Sequence, residues 1–516
     1  MNSITRDNAL KTIVKGFGFT FFATFFSKIL LYLLRIFLTR TLTPQDYGLL
    51  FLGFSLIYMT VFFVLLGLES GIERYISYYR ARKNFRRVRG IILSSLSISI
   101  PLSLLMCAIF WFFSHEISVL FFHEPNLSPV LKILSFVIPI FVVYKIFYSS
   151  LLSFKKIGYA AFSWYICRPL STLVFLTILV FGFGLEGAAF SYVMGFAISA
   201  LLTFFFMEWK VFHVIRTDIK PIFMRKKLLA FSLPLVVFSI LWNIMTRVDT
   251  IMIGSIKTSL DVGLYQTAAP TSQFLFIIPS ALGALFIPVL SELLSKNKRD
   301  DIKKVYRTVS KWIFYLNFPL FLVFVTYPNA VINILFGSDY IGAGNSLRIL
   351  AIGYLVFSIG GVATGIINLF EKTKYHIFNA SLSLVIGIVL NYLLIPVFGI
   401  DGAAVATMIT FIFYTVLLVF EARMISGCSP FDSAMLKSLV SGLLSTLVMY
   451  SLTKMLFANL NVWILIPVFV IFTMLYSIFL LIFKGLGEED IMILKAIERK
   501  TGLEIKPLRK IIKKFI

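Results

Sequence analysis

Four cationic residues interrupt long apolar stretches of this sequence: Lys28, Arg35, Lys145 and Arg247. A charged side chain inside an apolar span is costly to bury, so each of them is a candidate for function. Arginine offers a planar fork that matches two oxygens of a phosphate, and lysine offers a point charge. These residue types therefore predict a site that binds an anionic group, and a pyrophosphate would need several of them to offset its desolvation.

Depth distinguishes a residue that lines a cavity from one that reaches the membrane surface. Lys28 lies about 11 residues from either end of its apolar stretch, roughly 16 Å, which its side chain cannot cover. We therefore expect Lys28 to face a polar cavity. Arg35 lies near the outer end and can either line that cavity or reach the interface. Helical spacing predicts one polar stripe, made of Thr20, Thr24, Ser27, Lys28, Arg35 and Thr39.

A later apolar stretch carries a second polar face. Asn243, Thr246, Arg247 and Thr250 follow the spacing i, i+3, i+4, i+7, which places them on one side of a continuous helix. Asp249 lies on a different face of that helix. It is a candidate for ion coupling through a carried proton, or for a buried structural pair with a cation.

The other cations in apolar stretches lie at lesser depth. Lys145, beside Tyr144, Tyr148 and Ser149, is intermediate, and it can face a cavity or reach the interface. Four cations lie close enough to the ends of their stretches that we expect them to reach the membrane surface. These are Arg168 at an inner end, and Lys132, Arg348 and Lys454 at outer ends.

Membrane-spanning helices must position these residues. Of the 516 residues, 59% are hydrophobic and 14% are charged, whereas a soluble domain carries about 25% charged residues. Apolar runs of about 20 residues, each long enough to cross a bilayer, predict an all-α polytopic membrane protein with about 14 transmembrane helices. The predicted spans are 17–38, 49–68, 91–113, 130–152, 163–183, 186–208, 229–253, 270–290, 312–335, 346–369, 377–397, 402–424, 436–457 and 463–483.

The distribution of cations orients these spans. The net charge is +24, and an even number of spans places both termini on one side. With that side inside, the inner segments carry 38 Lys and Arg, and the outer ones carry only Arg40 and Lys257. The positive-inside rule then predicts cytoplasmic termini in the cell membrane, and the charge indicates attraction to anionic lipid and not to nucleic acid. The basic tail 484–516 predicts an amphipathic helix on the inner leaflet.

Motifs for enzymatic chemistry are absent from the sequence. There is no Walker A, G-x-S-x-G or H-E-x-x-H motif, and three cysteines are too few and too scattered for a disulfide framework or a cysteine-based metal site. His115, Glu116, His123 and Glu124 could ligate zinc, but we interpret them as a polar outer loop. We therefore expect no enzyme activity, no cofactor and no metal.

The two halves of the sequence resemble each other at a nearly constant offset of 215 or 216 residues. Since the repeat unit contains six helices, the halves have the same orientation and are related by an axis along the membrane normal. This predicts an N-lobe over 1–220, a C-lobe over 221–430, and two extra helices with the tail over 431–516, with alternating access to a site between the lobes. The matched pairs are Asp46–Leu49 with Asp261–Leu264, Leu120–Phe121 with Leu335–Phe336, Lys132–Leu134 with Arg348–Leu350, Phe154–Phe162 with Phe370–Phe378, and Gly184–Ala189 with Gly399–Ala404.

Several of these motifs, in this order and spacing, resemble those of polysaccharide and oligosaccharide flippases over roughly residues 10–480. They are Arg40–Leu49, Arg247–Asp249 followed by Ile253-Gly254 and Val262–Tyr265, Leu335–Tyr340, and the two Gly-(Leu/Ile)-(Glu/Asp)-Gly-Ala-Ala turns. The sequence is similar to O-antigen-type members of the polysaccharide transporter family, within the multidrug/oligosaccharidyl-lipid/polysaccharide exporter superfamily.

The resemblance implies a fold of twelve core helices in two lobes, here with two more. It implies a flippase that moves a polyprenyl-phosphate- or pyrophosphate-linked oligosaccharide across the cytoplasmic membrane for glycan biosynthesis. Substrate would bind at Lys28, Arg35, Arg247 and Lys145, and Asp249 would couple an ion. The expected partners are membrane lipid and a glycan polymerase or glycosyltransferases, and the chain is expected to be a monomer.

Two other functions compete with this interpretation. A multidrug exporter of the same superfamily takes cationic substrates, which favour a cavity lined by carboxylates, and the deep charges here are mostly cations. A membrane-embedded glycan polymerase or ligase favours a large outer loop with catalytic residues, and the longest predicted outer loop, 114–129, has about 16 residues.

Overall fold

The computed structural model describes residues 25–427, 429–431, 433–456, 462–487 and residue 490, and these described residues form helices and no strand. The helices are α1 (25–41), α2 (Pro44–Leu65), α3 (Leu68–Ala81), α4 (Phe85–Phe112), α5 (Ser114–Glu116), α6 (Leu127–Ser135), α7 (Val137–Ser153), α8 (Ile157–Ala161), α9 (Arg168–Phe205), α10 (Arg225–Met245), α11 (Val248–Ile256), α12 (Ser259–Ser272), α13 (Ile277–Ser295), α14 (Arg299–Thr326), α15 (Pro328–Phe336), α16 (Gly344–Leu369), α17 (Lys374–Ser426), α18 (Ser433–Leu456) and α19 (Val462–Ile482). Three π-helical segments are Ile117–Phe121, Phe162–Cys167 and Phe206–Val211, and two 3₁₀ segments are Gln273–Phe276 and Ser338–Ala343.

These helices confirm the predicted all-α membrane fold. Within the described residues, nine helical segments are long and apolar enough to cross a bilayer. Two of the nine, Ile157–Val211 and Lys374–Ser426, each contain two predicted spans joined by a tight turn. All fourteen predicted spans lie largely in helix, the first of them from residue 25 onward, and some of them, such as 229–253 and 312–335, cross a break between two helices.

Those two turns have the same geometry, 215 residues apart. Gly184 (φ 50°, ψ −124°) and Gly399 (φ 57°, ψ −133°) both occupy a positive-φ conformation that favours glycine. Three residues later, a Cβ at Gly187 would lie 2.2 Å from the carbonyl oxygen of Leu179, and one at Gly402 would lie 2.3 Å from that of Leu394. The repeat seen in the sequence therefore reflects a repeated backbone turn.

The first helical turns of α2 and α12 are a second repeated feature. The Thr43 hydroxyl donates to Asp46 and accepts from its backbone N–H, and Thr258 and Asp261 make the same pair of bonds. This reciprocal capping stabilises both helix starts. The two turns also pack against each other, because a Cβ at Gly48 would lie 2.8 Å from the Gly263 nitrogen.

The chain divides into two compact units, Met1–Gln266 and Thr267–Ile516. In the first unit α10 packs on α2, α3 and α4, and α11 packs on α2. In the second, α16 packs on α14 and α17, and α18 packs on α14 and α19. The repeat predicts a different division, with lobes over 1–220 and 221–430 and a further segment over 431–516. That division remains a prediction.

The segment 69–90, which connects the second and third predicted spans, contains a helix that was not predicted from the sequence. The backbone leaves α2 through two positive-φ residues, Leu66 and Gly67, and then forms the 14-residue helix α3. Gly67 lies close to α10, since a Cβ there would be 2.7 Å from the carbonyl oxygen of Ser232. The amphipathic helix predicted in 484–516 lies almost entirely outside the described residues, as do Thr20 and Thr24 of the predicted polar stripe.

Replacing Gly48 with valine should destabilise the contact between α2 and α12. A Cβ at this position lies 1.8 Å from the backbone carbonyl oxygen of Ser259, so the two helices must separate. We expect the thermal midpoint of the purified protein to fall by about 5 °C or more, as for overpacked cores. Gly182→Val is the matched control, because a Cβ there meets nothing within 4 Å. Equal midpoints for the two variants would contradict this close approach.

Candidate anion-binding site

The predicted helix over 229–253 is broken in the structure. α10 ends at Met245, Thr246 has φ −89° and ψ 0°, and Arg247 has φ −136° and ψ −14° as the residue before α11. Arg247 makes no side-chain capping bond, and the carboxylate of Asp249, in the first turn of α11, accepts the backbone N–H of Thr250. The predicted polar face of one continuous helix over Asn243–Thr250 is therefore wrong, and Arg247 instead lies at the break.

Arg247 and Arg168 meet on one tyrosine. The Arg247 guanidinium carbon lies 4.8 Å from the ring centre of Tyr58, and Arg168 donates a hydrogen bond of 3.3 Å to the Tyr58 hydroxyl. The Arg168 guanidinium also stacks 3.8 Å above the ring centre of Trp164. The prediction that Arg168 reaches the membrane surface was wrong, because aromatic rings hold it among the helices of the first unit.

A π-helical segment places Trp164 and Arg168. The segment Phe162–Cys167 leads directly into α9, which begins with Arg168, and the wider π turn is common at functional sites. The repeat offset falls from 216 at Phe162 to 215 at Gly184, which means that the first half has one extra residue between them. The π turn accommodates such an insertion, so we infer that this local geometry is specific to the first half.

The corresponding positions of the second half lack this chemistry. At offsets of 215 and 216, Trp164 corresponds to Asn379 or Ala380, and Arg168 to Ser383 or Leu384. Those residues lie within α17, which is α-helical there. The pair of stacked arginine and tryptophan is thus a property of one half of the repeat.

Three buried polar atoms beside these aromatic rings have no hydrogen-bond partner among the described residues. Among the described residues, Nε of Arg168, Nε of Arg247 and the hydroxyl of Tyr144 are buried and make no hydrogen bond. Tyr144 belongs to the same cluster because its ring stacks on Trp164 at 4.9 Å. Buried polar groups are normally satisfied, so these three atoms are available to a polar ligand.

Arg35 lies in α1 and is held by neutral groups. Its Nη1 donates to the Tyr47 hydroxyl and to the backbone carbonyl of Gln266, each at 3.1 Å, and its guanidinium lies 4.1 Å above the Phe51 ring. None of these three partners carries a negative charge. From the sequence, Arg35 could either line a cavity or reach the membrane interface. Its contacts are with residues of the helix bundle in the first unit.

Asp249 is connected to Arg35 through a chain of hydrogen bonds. The carboxylate, 7% exposed, accepts from the Tyr265 hydroxyl at 2.6 Å and from the backbone N–H of Thr250 at 2.6 Å. Gln266 donates at 2.8 Å to the Thr250 hydroxyl, and its backbone carbonyl accepts from Arg35. A change in the charge of Asp249 can therefore reach Arg35 through neighbouring residues.

The two lysines differ in their surroundings. Lys28 lies two helical turns before Arg35 in α1, is partly exposed, and makes no hydrogen bond or ion pair with the described residues. Lys145 forms a 3.2 Å ion pair with Glu69, and both side chains are about one-fifth exposed (23% and 22%). Glu69 lies in α3, between two predicted spans, and nothing in the sequence indicated this partner.

The arginines differ from Lys145 in that no ion pair with a carboxylate is found for them among the described residues. The five ion pairs found among the described residues include Lys145 with Glu69 and the buried Lys311 with Asp490, but not Arg35, Arg168 or Arg247. In a medium of low dielectric constant, neutral acceptors and rings orient a guanidinium without cancelling its charge. The three arginines, which we call the arginine cluster, are therefore oriented by neutral partners and form no ion pair among the described residues.

The segment 114–129, predicted as an outer loop, contains the short helix α5 and a π-helical turn, and one of its acidic residues has a structural role. Glu124 accepts a 2.9 Å hydrogen bond from the backbone N–H of Ser259, the first residue of α12. A carboxylate at a helix start stabilises that end of the helix.

Comparisons with known proteins agree with this architecture. A family model described as polysaccharide biosynthesis protein matches residues 13–294, more than half of the chain, and a second, described as MatE, matches residues 234–393. A putative O-antigen transporter of Shigella flexneri is 24% identical over 397 residues, which cover 74% of this chain and 91% of that protein.

Solved structures share the fold. The lipid II flippase MurJ in an inward closed conformation aligns with a TM-score of 0.72 at 19% identity, covering 91% of this chain and 99% of that one. An inward-facing multidrug resistance MATE family transporter aligns with a TM-score of 0.67 at 13% identity, covering 81% and 98%. At these identities the likeness shows the fold and not the substrate.

A double-mutant cycle tests the pairing of Lys145 with Glu69. Lys145→Met removes the cation that pairs with Glu69, and Glu69→Leu removes the ion pair of Lys145, which then keeps only the electrostatic interaction with Glu73, so each should destabilise the purified protein. The double variant should recover most of that loss, with a coupling of about 1–2 kcal/mol, because neither charge remains. Thermal or denaturant unfolding in detergent measures it. Losses that simply add would show that the two residues do not interact.

Proposed function

The chain belongs to the polysaccharide biosynthesis protein family of the multidrug/oligosaccharidyl-lipid/polysaccharide exporter superfamily, and on that basis we propose that it flips a lipid-linked oligosaccharide across the cytoplasmic membrane. The substrate is an oligosaccharide joined to a polyprenol through a phosphate or pyrophosphate. Transport proceeds by alternating access, with both termini in the cytoplasm, and it serves glycan or polysaccharide biosynthesis.

One observation carries this proposal: among the described residues the arginine cluster forms no ion pair with a carboxylate, although the charge of Asp249 acts on Arg247 from nearby. A phosphate or pyrophosphate supplies the negative charge and the acceptor oxygens that the free Nε atoms of Arg168 and Arg247 lack. The sugar hydroxyls can bond to the Tyr144 hydroxyl, and sugar ring faces can pack on Trp164 while the lipid tail stays in the bilayer.

The substrate-binding residues in this proposal are Lys28, Arg35 and Arg247, with Arg168 added from the structure. Lys28 extends the positive surface along α1 toward Arg35, seven residues or about 10 Å away. Lys145 has a lesser role, because it can bind the substrate only when its ion pair with Glu69 opens.

Asp249 is the ion-coupling residue of the proposal. Protonation removes the charge that accepts hydrogen bonds from Tyr265 and Thr250, and Thr250 is bonded to Gln266. The Gln266 carbonyl also accepts a hydrogen bond from Arg35. Loss of the Asp249 charge therefore weakens the hydrogen bonds that orient Arg35, which alters the affinity of Arg35 for an anion.

A multidrug exporter is the second candidate, and the MatE family match and the MATE structure favour it at the level of fold. The sign of the charge in the site argues against it, since a cationic drug would meet three guanidinium groups that form no ion pair among the described residues. A membrane-embedded polymerase or ligase is the third candidate and has less support.

In this proposal the protein works as a monomer alongside a glycan polymerase or glycosyltransferases that supply or use its substrate.

Export of surface glycan in cells tests the anion site. Lys28→Gln combined with Arg247→Gln removes two cations from the proposed binding surface, and we expect export to fall at least about tenfold at an equal level of protein in the membrane. Arg348→Gln with Lys454→Gln removes the same charge near the outer helix ends and should leave export near the wild-type level. Unchanged export in the first variant would refute the proposed site.

The response to an ion gradient tests the role of Asp249. In vesicles that contain the purified protein, the rate of oligosaccharide-lipid flipping should change when a proton or sodium gradient is imposed. Asp249→Asn keeps the shape of the side chain but cannot exchange its charge, so its rate should be the same with and without the gradient. A variant that responds as strongly as the wild type would exclude Asp249 as the coupling residue.

A further inference from the structure

The segment 212–224, which joins the π-helical end of the sixth predicted span to α10, is folded against the first unit. Arg89 donates hydrogen bonds to the backbone carbonyls of Val214 at 2.7 Å, Thr217 at 3.1 Å and Ile219 at 2.6 Å. Glu208 accepts from three consecutive backbone N–H groups, those of residues 214–216. These hydrogen bonds hold the backbone of the segment in one position against the first unit.

The end of this segment lies directly on α4. The Ile222 backbone N–H donates to the Arg86 carbonyl at 3.0 Å, and the Met224 N–H donates to the Ser94 hydroxyl at 3.0 Å. At Gly90 the backbone of α4 lies directly against the segment, because a Cβ there would be 1.8 Å from the Ile222 carbonyl oxygen. These contacts fix the position from which α10 begins.

A cavity of about 630 Å³ lies between the segment, α3 and α4. Four of its eight lining residues are cations, namely Arg87, Arg225, Lys226 and Lys227, and none of the eight is acidic. Neutral groups hold two of these cations, since the Lys227 Nζ lies 3.4 Å from the Tyr79 hydroxyl and Arg87 lies 5.0 Å from the Tyr79 ring centre. None of the four cations forms an ion pair with any residue that the structure describes.

The start of α10 adds to this charge. Arg225, Lys226 and Lys227 are the first three residues of the helix, and no side chain caps its N-terminus. Cations at a helix N-terminus repel the positive end of the helix dipole, so this arrangement is unfavourable unless an anion is bound nearby. The cavity and the helix end together fit a phosphate group, which accepts bonds from several cations at once.

The surroundings of the cavity indicate where that phosphate comes from. The apolar span of α10 begins at Arg225, and the cation distribution places this end at the cytoplasmic surface of the membrane. Ile222 and Phe223, which also line the cavity, are 37% and 52% exposed. Basic groups beside exposed apolar side chains at a membrane surface are typical of sites for anionic lipid.

We propose that this cavity binds the phosphate headgroup of an anionic phospholipid from the inner leaflet. The acyl chains lie along the apolar surface next to Ile222 and Phe223, and the bound lipid neutralises the cationic start of α10. The site is separate from the arginine cluster in its residues, and the inference does not depend on the substrate that the protein transports.

The test uses the full-length protein in nanodiscs of phosphatidylcholine, to which phosphatidylglycerol is added. Lys226→Gln with Lys227→Gln removes two exposed cations of the cavity, and Lys304→Gln with Arg307→Gln removes the same charge from exposed positions of another basic segment. Native mass spectrometry counts the anionic lipids that stay bound, and thermal unfolding reports stabilisation by the lipid.

We expect the cavity variant to lose occupancy of its tightest phosphatidylglycerol at least about fivefold and to lose the rise in thermal midpoint on adding that lipid. In phosphatidylcholine alone it should be as stable as the wild type or more so, because the repulsion at the start of α10 is relieved. The control variant should keep both lipid effects. Equal losses in the control, or no loss in the cavity variant, would overturn the proposal.

A second arm separates a lipid headgroup from a free anion. Inorganic phosphate and pyrophosphate are added to the wild-type protein in phosphatidylcholine, and the thermal midpoint is followed. Little or no stabilisation at millimolar concentrations, with strong stabilisation by phosphatidylglycerol, supports the lipid site. Stabilisation by inorganic phosphate that matches the lipid and is lost in the cavity variant would overturn the lipid assignment. Arg87→Gln, a single change in α4, repeats both arms at a separate position of the cavity.

Discussion

A guanidinium group among apolar helices must be held by polar or aromatic partners, because water is not there to solvate it. In this protein the arginine cluster obtains those partners from tyrosine hydroxyls, aromatic rings and an amide carbonyl. Such partners orient the charge and leave it in place, whereas a carboxylate would cancel it. The positive potential that results is the property on which the proposed function depends.

The surrounding structure serves to maintain that arrangement. The break before α11 places Arg247 over Tyr58, and the π turn before α9 places Arg168 over Trp164. Both are departures from regular α-helix, and each costs backbone hydrogen bonds that a purely structural helix would keep. Lys145 and Lys311 show the contrasting solution, in which a nearby carboxylate neutralises the cation.

Much of the fold could be predicted from the sequence, because apolar length and cation asymmetry act locally and add up along the chain. The fourteen spans and the repeated turns at Gly184 and Gly399 are the features that could be predicted in this way. The break at Thr246–Arg247 could not be predicted, since an i, i+3, i+4 pattern assumes a continuous helix. The pairing of Lys145 with Glu69 joins residues 76 positions apart and depends on α3 being a helix. One signal for Arg168 was present, since the repeat offset changes by one residue across Phe162–Gly184.

The most direct measurement of the central claim is flipping by the purified protein in vesicles, followed by the accessibility of a fluorescent headgroup to a membrane-impermeant quencher. Two substrates with the same glycan and polyprenol are compared, one joined through pyrophosphate and one through an uncharged ether. We predict rapid flipping of the pyrophosphate-linked lipid, at least about tenfold slower flipping of the uncharged one, and a loss of this difference in Arg247→Gln. Equal flipping of both lipids by the wild-type protein would contradict the claim that the arginine cluster recognises a phosphate.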